Sequence, residues 1–287
     1  MDLLQVVVSG LLLGGVYALL AAGLNLIFGV MRVINLAHGE LLMLGAYGTF
    51  FFYDRTGLNP LLAIPLVAVA MFGGGLLLQR FLVERVVGQP LLSSLLLTFG
   101  LSTLLTGLAL NLWTANFRSV AYEPLTGSIG VGGLSISRSR LVAFVIALVV
   151  TGATYAFLRR STWGKAIRAT AQNADVAQVC GIDVRRVRLL SFGLGAAMAA
   201  VAGTLVAIIF TVSPEMGRMF IGRAFAIIVL GGLGSFSGAF LGALILGVTE
   251  TTTAYYTSTQ LSEAVAYAVL VIVLLIRPSG LFGQAEG

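Results

Sequence analysis

Cysteine, histidine and lysine each occur once in this chain of 287 residues, as Cys180, His38 and Lys165. One cysteine forms no internal disulfide, and with one histidine the partners for zinc or haem ligation are absent. No Gly-x-x-x-x-Gly-Lys-Ser/Thr loop is present, so the chain cannot itself cradle ATP. Charge is scarce too, at 10% of residues against roughly 25% in an ordinary soluble domain. No span holds a dense His/Asp/Glu cluster, which argues against an embedded enzyme. The start, Met1-Asp2-Leu3, lacks the basic region of a signal peptide and reads as mature sequence.

Apolar residues fill the space. They make up 58% of the chain, and mean hydropathy is +1.02. A soluble protein of this length could not hide that surface from water, whereas a bilayer removes the need. The 36 glycines fit the same reading, because small residues let membrane helices approach closely.

A spanning helix needs about 20 largely apolar residues. Charge-free runs occupy Leu3–Met31, Thr56–Gln79, Val86–Phe117, Leu141–Leu158, Leu189–Pro214 and Ala224–Thr249. Leu41–Tyr53 reads as a span with the residues from Val33 onward, and Leu261–Ile276 as a last one interrupted by Glu263. The expected fold is an all-α integral membrane protein, one domain over 1–287, with a polytopic bundle of about 8–9 helices. Ala224–Thr249 is expected to break near 231–236, because Gly231-Gly232-Leu233-Gly234-Ser235 suits chain reversal. That turns the run into a hairpin with the C-terminus on the cytoplasmic side.

Net charge is +6, and seven of the 17 basic residues fall in the loop 159–188. The clustering reads as positive-inside topology rather than nucleic-acid binding, and places that loop in the cytoplasm. Met1 and the Gly/Ser-rich stretch Asn116–Ser137 then lie outside, with Arg32 and Arg80/Glu84/Arg85 inside.

The loop itself has helical periodicity. Ile167, Ala171, Ala174, Ala177 and Gly181 line one narrow face, and Lys165, Arg168, Gln172 and Asp175 another. Asn173 can cap a short helix that Gly181 closes. An alanine face is too thin for a core, yet shaped for a shallow groove on another protein. The competing reading is a helix resting on lipid headgroups.

Asp175-Val176-Ala177-Gln178-Val179-Cys180-Gly181 resembles the Glu-Ala-Ala-x-x-x-Gly loop of ABC-importer permeases, with Asp175 and Val176 departing from it. Gly164-Lys165-Ala166-Ile167-Arg168-Ala169 and Gly181-Ile182-Asp183-Val184 are similar to the branched-chain amino acid permeases. So are Asn35-Leu36-Ala37-His38-Gly39-Glu40 and Leu230-Gly231-Gly232-Leu233-Gly234-Ser235. The resemblance, to the shorter of two paired permeases, implies a multi-pass subunit of the cell inner membrane. It implies a second related permease, two cytoplasmic ATP-binding subunits that use ATP and Mg, and a periplasmic or surface-tethered binding protein. The chain itself would hold no cofactor and catalyse nothing. Its ATPase-coupling residues would be Gly164, Arg168, Asn173, Asp175, Ala177, Gly181 and Ile182.

Candidates for a translocation path or gate are Asn25, Asn35, His38, Glu40, Gly231, Gly232 and Gly234. Asn25 is costly to bury in a span. His38 and Glu40 read either as gate groups or as a mutually satisfied polar pair at the cytoplasmic boundary. Two residues apart, they point to different sides of a helix. The glycines read either as close packing or as a break that opens backbone to a cavity. Leucine-type amino acids are the expected cargo, with urea or small amides as the alternative. A self-sufficient channel or secondary carrier is the other class, and would leave the long basic loop without a purpose.

Overall fold

A computed structural model describes residues 2–277 and 279–282. The first helix, α1 (Asp2–Met31), has thirty residues and no charge after its first. At 1.5 Å per residue it runs about 45 Å, more than a bilayer's hydrocarbon core. It is the axis of the fold, packed against α5 (Arg138–Arg160), α8 (Val184–Ala207), α9 (Met216–Gly231) and α10 (Phe236–Tyr256). Around this centre stand α2 (His38–Thr56), α3 (Ala63–Phe81), α4 (Leu91–Trp113) and α11 (Thr259–Ile276). Two short helices, α6 (Thr162–Gln172) and α7 (Ala174–Val179), fill the basic connection.

Six stretches have the length and hydropathy to cross a membrane: Leu3–Met31, Pro60–Arg85, Leu91–Trp113, Arg138–Arg160, Val184–Ala207 and Thr259–Ile276. α9 and α10, bent by 120° at their junction, qualify only as a pair. The expectation of eight to nine spans counted α2 and both limbs of this pair. None of those three qualifies alone, because α2 carries charge at both ends, α9 is short, and α10 runs into the polar stretch Thr249–Thr253 with Glu250. The all-α expectation also needs one amendment. The Gly/Ser-rich stretch folds into an antiparallel hairpin of β1 (Ser128–Val131) and β2 (Leu134–Ser137), with Ser128 opposite Ser137.

Small residues set the central spacing. A Cβ on Gly10 would lie 2.7 Å from the Val248 Cα, and one on Gly247 only 2.7 Å from the Gly14 Cα, so α1 and α10 touch backbone to backbone. Such glycines four apart let membrane helices meet where lipid offers no drive for association. The outward faces of α3, α4 and α11 carry exposed Leu66, Val69, Leu77, Leu96, Phe99 and Ile272. Those are surfaces for acyl chains.

The ends of the bundle differ. One holds the Arg-rich connection, Arg80 and Arg85. The other holds the β-hairpin and the segment 114–127, where Arg118 and Val212 exchange backbone bonds of 2.9 and 2.7 Å. There Tyr53 donates to the Ala121 carbonyl at 2.8 Å. Trp113 stacks on Tyr47 at 4.2 Å between centroids.

An ion pair fixes the hairpin. Arg223 on α9 donates to Glu250 on α10 at 2.6 and 3.0 Å. In one straight helix these residues would stand about 40 Å apart, so the contact requires the chain to double back at 232–235. α11 then returns along α10, and Leu281 and Phe282 donate to the carbonyls of Leu230 and Gly231 at 2.9 and 3.1 Å. The expected break is thus a tight reversal.

Candidate translocation and coupling sites

The basic connection is rigidly built. Ser161 caps α6 by accepting from the Gly164 amide at 2.8 Å. Gly164 itself has no room for a side chain, since a Cβ would lie 2.3 Å from the Leu158 carbonyl oxygen. Arg168 donates to that same carbonyl. Asn173 ends α6 in an extended conformation, and its side chain accepts from the amides of Asp175 and Val176, both at 3.0 Å. Gly181 closes α7 at φ +83°, a conformation that favours glycine, and Ile182 donates back to the Ala177 carbonyl at 3.0 Å. Asp183 then caps α8.

Of the expected face, Ile167 and Ala177 are buried against their own chain, Ala171 and Ala174 are half-buried, and Gly181 is exposed, so only part of it is open to a partner. Asn173 also splits the expected single face into two helices. Outward instead are Val176 at 57% exposure, Val179 at 88%, and Cys180. These three stand at i, i+3 and i+4, one stripe of a helix. Sequence reasoning set Val176 aside as a departure from a motif, although two valines are the larger apolar signal in that turn. Asp175, Arg168 and Gly181 are exposed on the same connection.

The second cluster lies deep in the bundle. Arg32 takes φ +51° and turns the chain back, and residues 33–37 run up beside α1 before α2 begins. The His38 Nε2 meets the Leu20 carbonyl at 3.2 Å. Leu20 is eleven residues before the end of α1, about 16 Å inward at helical rise. The expected boundary pair is therefore neither at the boundary nor a pair. His38 faces α1, whereas Glu40 faces α4, where the Thr106 hydroxyl donates at 3.4 Å. Thr98 of α4 donates to the Ile34 carbonyl at 2.8 Å and receives the Leu36 amide at 3.2 Å. Asn35, His38 and Glu40 are fully buried. Both polar atoms of the Asn35 amide, His38 Nδ1 and Glu40 Oε2 have no partner among the described residues. Buried polar groups ordinarily find partners, so these four atoms stand out as unpaired in the interior of the bundle.

Asn25 does not join that cluster. Its side-chain oxygen accepts from the Gly234 amide at 2.8 Å, holding the reversal between α9 and α10 against α1. Gly232 and Gly234 both take positive φ, +100° and +83°. Gly231 meets Gly238 so closely that a Cβ on either would strike the other's backbone. Here the glycines serve reversal and close packing together. Asn25 and Gly234 also line a hollow that reaches Ile167 and Arg168, so the reversal and the coupling connection share a wall.

One constellation escaped the sequence. Arg223, Glu250 and Glu263 join α9, α10 and α11, with Arg223–Glu263 at 3.3 Å. The Arg223 guanidinium lies 6.0 Å from the Tyr17 ring centroid and 5.5 Å from that of Phe220. Its signal was present: opposite charges bound the apolar run 224–249, as a hairpin requires.

A family model described as branched-chain amino acid transport system / permease component matches residues 6–274. The high-affinity branched-chain amino acid transport system permease protein LivH of Salmonella typhimurium is 34% identical, over 99% of this chain and 96% of its own length. BraD of Pseudomonas aeruginosa, a permease protein of the same description, is 32% identical over the same shares. LivM of Salmonella typhimurium, likewise a permease protein, is 27% identical over 95% of this chain and 71% of its own length.

Proposed function

Since this chain belongs to the branched-chain amino acid transport system permease family, we propose that it is the transmembrane subunit of an ATP-driven importer for branched-chain amino acids. Its similarity to both LivH and LivM supports pairing with a second, related permease. Two cytoplasmic ATPases consuming Mg-ATP drive the pair, and a binding protein delivers cargo on the opposite side. Its arginines support placing the basic connection on the cytoplasmic side of the cell inner membrane. With α2 and both limbs of the α9–α10 hairpin counted as passes, the chain crosses nine times and Arg277 lies on the cytoplasmic side.

The observation that carries this reading is the exposed valine stripe on α7, held by a fully capped connection. ATPases grip Val176, Val179 and Cys180, and their closure moves α6 and α7 together with the ends of α5 and α8. Motion reaches α3 as well, because Arg188 of α8 pairs with Glu84 at 3.3 Å and Gln79 donates to Glu84 at 2.7 Å. Inside, the unpartnered Asn35 amide is the candidate contact for the polar end of the amino acid as the bundle alternates. Each state needs its own favourable contacts for the motor to bias them.

Reconstitution of the two permeases with their ATPases tests this. Leucine uptake should require nucleotide and binding protein. Asn35→Leu should lower uptake without loss of thermal stability, since removing an unpartnered buried amide breaks no bond. Uptake by this chain alone without nucleotide would overturn the reading and favour a channel or carrier.

A further inference from the structure

We propose that the hollow between α5, α6, α1 and the start of α10 binds the headgroup of an anionic phospholipid. Its volume is about 320 Å³. Arg159 and Arg168 stand in its wall, with Asn25 and Ser237 as further polar groups. No carboxylate lines it, and neither arginine takes part in a salt bridge among the described residues. Arg159 and Arg168, the latter also donating to the Leu158 carbonyl, therefore line one hollow without a counter-charge among the described residues. Guanidinium forks match phosphate oxygens bidentately.

The rest of the lining says what kind of phosphate. Leu26, Val30 and Ile167 supply an apolar floor, which inorganic phosphate would not use. Tyr155 and Phe236 form an aromatic side wall, ring centroids 5.7 Å apart, and the Arg159 guanidinium sits 5.1 Å from the Tyr155 ring. Tyr155 and Phe157 are exposed on the outside of α5, one turn from Arg159 and Arg160 at its end. Aromatic rings beside terminal arginines are what a helix presents at the boundary between acyl chains and headgroups. Basic pockets between helices on the cytoplasmic side are suited to acidic lipid headgroups. A lipid satisfies both halves of the site: phosphate on the arginines, acyl chains along α5.

The seat has a consequence that rests on the importer reading. One occupant would touch α6, the end of α5 and the Gly234 reversal at once, so it would stiffen the path from the ATPase contact to the bundle. Uptake would then be faster in acidic than in neutral membranes.

The complete importer is purified, and phosphatidylglycerol retained through detergent exchange is measured by native mass spectrometry. Uptake is measured in phosphatidylcholine vesicles with and without phosphatidylglycerol. Arg159→Gln should retain the lipid about fivefold more weakly, the share of one arginine at such a surface. Gly29→Phe keeps both arginines but fills the hollow; a Cβ there meets nothing closer than the Gly234 Cα at 3.8 Å, so the backbone admits it. It should lose retention too, and both variants should lose the uptake gain from phosphatidylglycerol. Retention equal to the unaltered chain in either variant would overturn the site. Rescue of neutral vesicles by soluble glycerol phosphate would overturn the lipid as its occupant. Retention is read without nucleotide, so failure of ATP-driven uptake would strike the importer reading alone.

Discussion

Val179→Asp leaves the chain inserted and folded but abolishes ATP-driven leucine uptake. The side chain is 88% exposed, so within this chain the substitution touches almost nothing. Exposed positions ordinarily change stability by about 0.5 kcal/mol or less. Against an ATPase groove the same carboxylate loses its water, a cost of several kcal/mol for an unpaired ion. Each 1.4 kcal/mol is about tenfold in occupancy, so ATPase retention should fall by about a hundredfold or more. Val179→Ile, which keeps the apolar contact, should transport normally. Pull-down of the ATPase beside an uptake assay separates the two. Normal retention in Val179→Asp would remove the valine stripe from the interface.

Glu250→Ala has the largest expected effect on stability. The Arg223 and Glu250 side chains are 12% and 10% exposed, and the pair ties the two limbs of the hairpin. Removing one partner leaves a buried guanidinium uncompensated, a loss of about 3–5 kcal/mol. Glu263, at 3.3 Å and 42% exposed, offers part of the missing charge and places the effect toward the lower figure. A double replacement, Arg223→Met with Glu250→Leu, should recover most of the loss, because both desolvation costs disappear together. Thermal unfolding in one detergent of the unaltered chain, Arg223→Met, Glu250→Leu and the double variant gives the cycle. Additive losses in the double variant would show that the pair does not hold the hairpin.

Much of the architecture was legible from residue types alone. Long charge-free runs are spans because nothing else hides them from water, and arginine clustering orders the ends. The reversal at 232–235 was readable because its glycines carry the conformational message themselves. The depth of α2 was not. Its start is set by Arg32 turning the chain back and by Thr98 holding residues 34–36, and those long-range contacts leave no periodic trace. How the coupling helices lie on their own chain was hidden for another physical reason. Alanines were read as a thin docking surface, yet small residues are also what lets a short helix lie tightly on its own protein. Ala177 does the latter, and the bulkier valines remain outside. The Arg223–Glu250–Glu263 group stayed hidden because the charges that bound the run 224–249 meet only once the chain has reversed.

Cys180 gives the most direct measurement. It is the chain's sole cysteine, exposed at the end of the valine stripe. A membrane-impermeant maleimide is applied from the cytoplasmic side to membranes holding the permeases with or without the ATPases. The permeases alone should label fully, and the assembled importer should be protected. Equal labelling in both, with leucine uptake intact, would contradict a motor seated on this connection.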